Sequence, residues 1–237
     1  MIRDEQFITG EIDRARVRGL LFDVDGTLSD TDDHMIEGVS KILAPFSFLF
    51  EKKDHRRFAR WLVMATETPA NFFYGLADTI GVDAPLARIY NWLSQKQHPK
   101  NIGRKHFTII PGVKNMLYQL SEHFPMAVVS ARDSISTERF LEQFDLKPYF
   151  QAIVTSQTCR HTKPYPDPVL FAAQKLRVDP KACLMIGDTI VDVQAGKSAG
   201  AQTLGVLCGF GTGRELIRAG ANLILSCTPD LLKILLD

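Results

Sequence analysis

Residues 18–28 read RGLLFDVDGTL, an apolar run that stops abruptly at two aspartates, a glycine and a threonine. Leu20, Leu21 and Phe22 are consecutive apolar residues, the pattern of a strand covered on both faces in a parallel sheet flanked by helices. A buried helix would give the same local pattern. The short run, and Gly26 breaking it straight after the acids, decide for a strand. Asp23 and Asp25 are therefore expected at the C-terminal edge of a sheet, where open α/β folds bind ligands.

Residues 1–17 are polar and mixed in charge, with Gly10 in their midst, and read as an extra segment on the surface. After Leu28 the run SDTDD offers helix N-cap chemistry, and the stretch 29–104 carries helical patterns and no convincing strand. An all-helical cap is expected over 29–104, inserted into a core made of 1–28 and 105–237. Within it Phe58, Trp61, Leu62 and Ala65 share one helix face, which turns Arg56 and Arg60 to solvent and leaves Arg57 at the boundary. Phe72, Phe73 and Tyr74 read as core rather than a cofactor platform.

From Val113 onward helices alternate with short apolar strands. Helices are predicted over 113–123, 134–144, 167–177, 190–199 and 213–219, with a last one capped by Thr228-Pro229. Strands are predicted over 126–130, 152–155, 182–186, 202–206 and 223–225. Such alternation argues for a Rossmann-like α/β core, a parallel sheet wound by right-handed crossovers.

The 237 residues suffice for such a core plus a smaller insert. Cys159, Cys183, Cys208 and Cys227 make no CxxC pair, so they suggest neither zinc nor a redox motif and read as incidental thiols in a reducing compartment. A net charge of +1 gives no electrostatic reason for a nucleic acid or membrane partner, and no apolar run approaches the roughly 20 residues of a span. The N-terminus lacks the long apolar stretch of a secretory signal, so a cytoplasmic location is expected.

Polar groups follow several strands where a sheet would gather them: Asp23 and Asp25, Ser130, Lys163, and Asp188 with Asp192 one helical turn beyond. Four carboxylates against one lysine repel one another by roughly a few kcal/mol per pair at about 4 Å and an effective dielectric near 20. They need a cation. Oxygen ligands without Cys or His point to Mg²⁺, which prefers carboxylates, waters and a substrate phosphate. Its charge would offset the repulsion between the acids and an incoming phosphate, leaving Asp23 free as a nucleophile of the aspartyl-phosphate type.

The set DVDGT, VVS, the lysine of TKPYPDP, and GDTIVD resembles the four motifs of the haloacid dehalogenase-like hydrolase superfamily. The likeness runs from Gly19 to the last helix and includes the helical cap that some branches insert. It implies that Asp23 is the nucleophile and Asp25 the acid/base that protonates the leaving oxygen and then activates water. It makes Ser130 the phosphate-binding hydroxyl and Lys163 the cation joining nucleophile to phosphate. The metal set it implies is Asp23, the backbone carbonyl of Asp25, and Asp188, with Asp192 orienting bound water. Backbone N–H groups after Asp23 and Ser130 could cradle the phosphoryl oxygens, and Gly26 permits the turn after the acids. A carboxylate neighbour would favour the protonated Asp25 that the first step requires.

Many members place asparagine after the second-motif hydroxyl, whereas Ala131 and Arg132 stand here. Gly209, Gly211 and Gly213 lack the GxGxxG form and read as an ordinary loop. The resemblance implies a Mg²⁺-dependent phosphatase for a small phosphorylated metabolite, similar to the phosphoglycolate phosphatases in having both aspartates and a cap. Asp25 speaks against a dehalogenase or a phosphonatase. A phosphosugar mutase shares Asp25 and is the nearest alternative, ahead of a non-catalytic binding module. Substrate identity and oligomeric state are not written in these motifs.

Overall fold

A computed structural model of the chain describes residues 9–30 and 107–236. The expected cap, with Arg56, Arg57, Arg60 and the apolar face opposite them, lies outside these residues. The described part is a sheet of seven strands: β1 (Thr9–Gly10), β2 (Gly19–Phe22), β3 (Met126–Val129), β4 (Ala152–Val154), β5 (Cys183–Gly187), β6 (Gln202–Val206) and β7 (Leu223–Leu225). Six helices accompany it: α1 (Val113–Ser121), α2 (Ser134–Gln143), α3 (Asp167–Leu176), α4 (Ile190–Ser198), α5 (Gly213–Ala219) and α6 (Leu231–Leu235).

The spatial order is β1-β7-β6-β5-β2-β3-β4, with β2 to β7 parallel and β1 antiparallel to β7. The chain winds outward from β2 through β3 to β4, then returns to the other side of β2 and continues through β5, β6 and β7. This is the α/β Rossmann-like core expected, and its winding reverses between β2 and β5. Ligands of open α/β sheets bind at the strand ends beside such a reversal.

Side chains explain the continuous apolar runs. Leu20, Phe22, Met126, Val128, Leu184 and Ile186 fill one face under Val113, Met116, Leu117 and Leu120 of α1 and Phe140 of α2. The alternate residues Leu21, Ala127, Val129, Cys183 and Met185 meet Val169, Ala172, Ala173 and Leu176 of α3 on the other. With period-2 side chains and both faces covered, β2, β3 and β5 are continuously apolar.

The elements predicted from Val113 onward exist, with ends displaced by a residue or two. Helix α3 stops because Arg177 takes a left-handed conformation (φ 57°), and Ala182 belongs to a 3₁₀ turn preceding β5. The N-terminal segment differs more. It is not merely superficial, since Thr9–Gly10 forms the antiparallel edge strand and Val17 is fully buried. It is pinned through buried Gln202, whose side chain accepts from Asp13 N–H (2.6 Å) and donates to Asp13 O (3.0 Å).

The described stretches that end at Asp30 and begin at Phe107 meet through paired backbones. Asp30 N–H donates to Thr108 O (2.9 Å) and Ile110 N–H to Leu28 O (3.0 Å). No helix among the described residues is long and apolar enough to cross a membrane.

Candidate active site

Asp23 continues β2, its N–H donating to Ile186 O of β5 (2.9 Å), and Asp188 follows β5 directly. Neighbouring parallel strands therefore deliver two buried carboxylates to the point where the winding reverses. Asp192 joins them by a route other than a shared helix face, because α4 begins only at Ile190. Its Oδ2 accepts from Thr189 N–H (3.0 Å) and Thr189 Oγ1–H (2.6 Å), a reciprocal N-terminal cap that folds the carboxylate back over the strand end.

Lys163 comes from the loop between β4 and α3, where the Lys163-Pro164 peptide is cis. Its ammonium reaches Asp23 Oδ1 and Asp192 Oδ1, both at 2.6 Å, and only 3% of its side chain is exposed. Burial alone would lower the lysine's proton affinity, but Asp192 and Asp23 outweigh it and hold the amine charged. Burial lifts the Asp23 carboxyl to about 8, with Asp192 and Asp25 adding to the rise and Lys163 opposing it. Burial likewise lifts Asp188 well above the ordinary range, reinforced by Asp192 and Asp23.

One ligand atom from each of Asp23, Asp188 and Asp192 lies within 4.8 Å of the others. One lysine does not balance three buried acids, and an all-oxygen donor set suits a hard divalent cation. Asp192 already spends one oxygen on Lys163 and the other on Thr189, so it is better placed to hold the lysine or orient a water than to ligate directly. Asp188 spends Oδ2 on Phe210 N–H (2.6 Å), while its Oδ1 makes a long contact with Thr27 Oγ1 (3.5 Å).

The loop that supplies Phe210 N–H is more than the ordinary connection expected. A Cβ on Gly209 would collide with the Asp188 carboxylate, and one on Gly211 with the Asp188 carbonyl. Gly26, at φ 68°, is doubly constrained, by its left-handed backbone and by the same carboxylate.

Asp25 and Ser130 are organised by Arg132. The guanidinium grips Asp25 in a fork, Nε to Oδ2 at 2.5 Å and Nη2 to Oδ1, while Arg132 N–H donates to Ser130 Oγ (3.1 Å). The plane is fixed over the rings of Phe107 (5.1 Å) and Phe140 (5.7 Å). Arg132 Nη1 is a buried side-chain donor without a hydrogen-bond partner among the described residues. The Asp25 side chain thus meets a guanidinium as well as the neighbouring Asp23 carboxylate that the sequence suggested.

The candidate residues fall into two groups. Asp23, Lys163, Asp188 and Asp192 form one buried cluster, and Asp25 and Ser130 meet through Arg132. Sequence reasoning missed Arg132 and Phe210 as supports. The available signals were an arginine where asparagine is common, and closely spaced glycines after a strand.

The sequence pattern of the family described as haloacid dehalogenase-like hydrolase matches residues 20–206. A pyrophosphatase PpaX from Bacillus pumilus is 25% identical, over 94% of this chain and 98% of the relative. A phosphoglycolate phosphatase from Escherichia coli strain K12 is also 25% identical, over 92% of each chain. Among solved structures, that of a predicted phosphatase from Clostridium acetobutylicum superposes with a TM-score of 0.65 at 25% identity, covering 93% of this chain and 98% of that one.

Proposed function

This chain belongs to the haloacid dehalogenase-like hydrolase family and is a hydrolase; on that premise we propose that it is a magnesium-dependent phosphatase of small phosphate monoesters, working through an aspartyl-phosphate on Asp23. The observation that carries the proposal is the buried bridge of Lys163 between Asp23 and Asp192, with Asp188 beside it, at the reversal of the sheet. Relatives named phosphoglycolate phosphatase and pyrophosphatase support phosphoryl chemistry.

An Asp23 oxygen attacks phosphorus as the bond to the leaving oxygen breaks, and that oxygen takes a proton from Asp25. Water then attacks the acyl phosphate and gives its proton to the Asp25 carboxylate, which restores Asp23 and releases inorganic phosphate. Lys163 holds the nucleophile in place, and Asp192 holds the lysine. The Arg132 fork occupies both Asp25 oxygens, so one of them must be freed before Asp25 can hand a proton to a leaving oxygen. Ser130 and the N–H of Ala131 receive the phosphoryl oxygens, since the Arg132 N–H donates to Ser130 Oγ. Magnesium, held by Asp23, Asp188 and the Asp25 carbonyl, would supply the charge that lets a phosphate dianion approach these acids.

Residues 29–104 are the proposed cap that selects the leaving group and excludes water, a reading supported by the backbone pairing of Asp30 with Thr108 near the end of β2. A cytoplasmic enzyme on small metabolites fits the balanced charge. The decisive experiment measures phosphate release from a panel that includes phosphoglycolate, sugar phosphates and pyrophosphate, with Mg²⁺ or chelator, for the native chain and Asp23→Asn. Metal-dependent release lost in a folded Asp23→Asn protein is expected. Full activity after chelation overturns the metal assignment, and isomerised phosphosugar appearing faster than phosphate turns the reading to a mutase.

A further inference from the structure

We propose that Cys208 and Cys227 form a redox-active dithiol that a hydroperoxide closes to a disulfide behind the active-site loop. The geometry begins with strand register. Strands β6 and β7 pair as Leu204 with Leu223, Gly205 with Ile224 and Val206 with Leu225, and Leu207 N–H to Leu225 O (3.0 Å) carries the ladder one residue further. Beyond Val206 and Leu225 both chains bend, and Cys208 and Cys227, two residues past these strand ends, come close enough for their thiols to share a hydrogen bond. The paired residues just before them, Val206 and Leu225, lie in adjacent strands about 4.8 Å apart, inside the Cα separation of about 4.4–6.8 Å that a disulfide spans. Both side chains pack on the cluster that holds Leu204, Val206, Leu223 and Leu225, so they lie on the same face of the sheet.

The pair abuts the loop that follows Asp25. Cys208 Sγ–H donates to Gly26 O (3.6 Å) and Sγ lies 3.5 Å from Thr228 Oγ1, which itself donates to Thr27 O (2.6 Å). Both cysteines are half-buried, which leaves room for a small oxidant. Their chemistry is polarised. A hydrogen bond from Cys227, helped by Thr228 and opposed by burial, draws the Cys208 thiol down to about 7, while sharing that bond with Cys208, together with burial, pushes Cys227 up. Burial pushes Cys183 up to about 12 and also raises Cys159. Cys208 is therefore the attacking thiolate and Cys227 its resolving partner.

The Cys208 thiolate attacks one oxygen of hydrogen peroxide. The O–O bond breaks, hydroxide departs and takes the proton that Cys208 had released, and Cys208 becomes a sulfenic acid. Cys227 sulfur then attacks Cys208 sulfur, the S–S bond forms, the S–O bond breaks, and that hydroxide leaves with the Cys227 proton. Two thiols lose two electrons and one peroxide becomes two waters. The product loses the S–H donor to Gly26 O and ties the loop holding Asp188 to the one bracing Thr27.

The full chain, reduced and freed of reductant, is treated with hydrogen peroxide, and its intact mass and linked peptides are read by mass spectrometry. Loss of two hydrogens and a single Cys208–Cys227 linked peptide, both reversed by dithiothreitol, are expected. Without peroxide at pH 7, iodoacetamide should alkylate Cys208 at least about tenfold faster than Cys183. Cys227→Ser should leave a Cys208 sulfenic acid that dimedone traps. Oxidation at Cys208 without a link, a link between other cysteines, or no reaction overturns the proposal. The wild-type mass measurement needs no variant to fold, and no readout depends on phosphatase activity, so failure of the proposed function leaves this test intact.

Discussion

Replacing Lys163 by methionine tests the charge arrangement directly, because it keeps the aliphatic stem and removes the cation from between two acids. The ammonium lies 2.6 Å from each of Asp23 and Asp192, whose side chains are 8% and 1% exposed, so water cannot replace it cheaply. Removing one partner of a buried ion pair costs roughly 3–5 kcal/mol. At about 2–4 °C per kcal/mol for a chain of this size, the melting temperature in chelator should fall by about 6–20 °C. The loss has a pH signature. The Asp23 carboxyl already stands at about 8 in the fold, above its ordinary 3.8, mainly through burial, and without Lys163 it rises further. A raised carboxyl stabilises the fold below its ordinary value and withdraws that contribution as pH climbs through the folded value. The Lys163→Met defect should therefore be small near pH 5 and largest near pH 9, and adding Asp192→Asn should recover part of it. Thermal unfolding from pH 5 to 9 in chelator is the assay. A loss below about 1 kcal/mol at pH 9, or one greatest in acid, would refute the reasoning.

In wild type, Mg²⁺ should raise the melting temperature, by about 2.7 kcal/mol of stability at a hundredfold excess over Kd, and Asp188→Ala should abolish the shift in a titration followed by calorimetry. A double-mutant cycle on Asp25→Asn and Arg132→Lys in urea unfolding should return a coupling of about 1–2 kcal/mol, since lysine cannot reproduce the fork; additivity would show that the pair is not formed. Asp133 caps α2 by accepting from Ser136 N–H (2.9 Å) and Ser136 Oγ–H (2.7 Å). Asp133→Ala should cost about 1 kcal/mol at neutral pH. Burial works to raise the Asp133 carboxyl, but these bonds prevail and lower it, so its contribution is present above the ordinary value and lost as pH falls through the lowered one. The Asp133→Ala penalty should accordingly fade in acid unfolding curves, and a constant penalty would contradict the assignment.

What could be read from the sequence is what local pattern controls. The run LLF is continuous because alternate residues must satisfy two cores, and Asp23 and Asp188 each follow such a run directly, so their placement at a sheet edge needed no long-range knowledge. The remainder depends on partners far apart in the chain. Lys163 is 140 residues from Asp23, and Arg132 is 107 from Asp25, so the fork could not be inferred from either neighbourhood. The same distance problem hid the edge strand, since a two-residue pairing and one glutamine side chain leave no periodic trace.

Asp192 shows how a correct grouping can rest on a wrong geometry. Spacing along a helix suggested that it shares a face with Asp188, yet Asp188 precedes the helix and the two meet because the Thr189 cap turns Asp192 inward. The distinction changes the chemistry available to the residue. A carboxylate projecting freely from a helix face offers both oxygens to a metal, whereas this one is committed to Thr189 on one oxygen and Lys163 on the other. Its role then runs through the lysine: Asp192 fixes the ammonium, and the ammonium fixes the Asp23 oxygen at 2.6 Å. On the proposed mechanism, the cap of α4 therefore helps to aim Asp23.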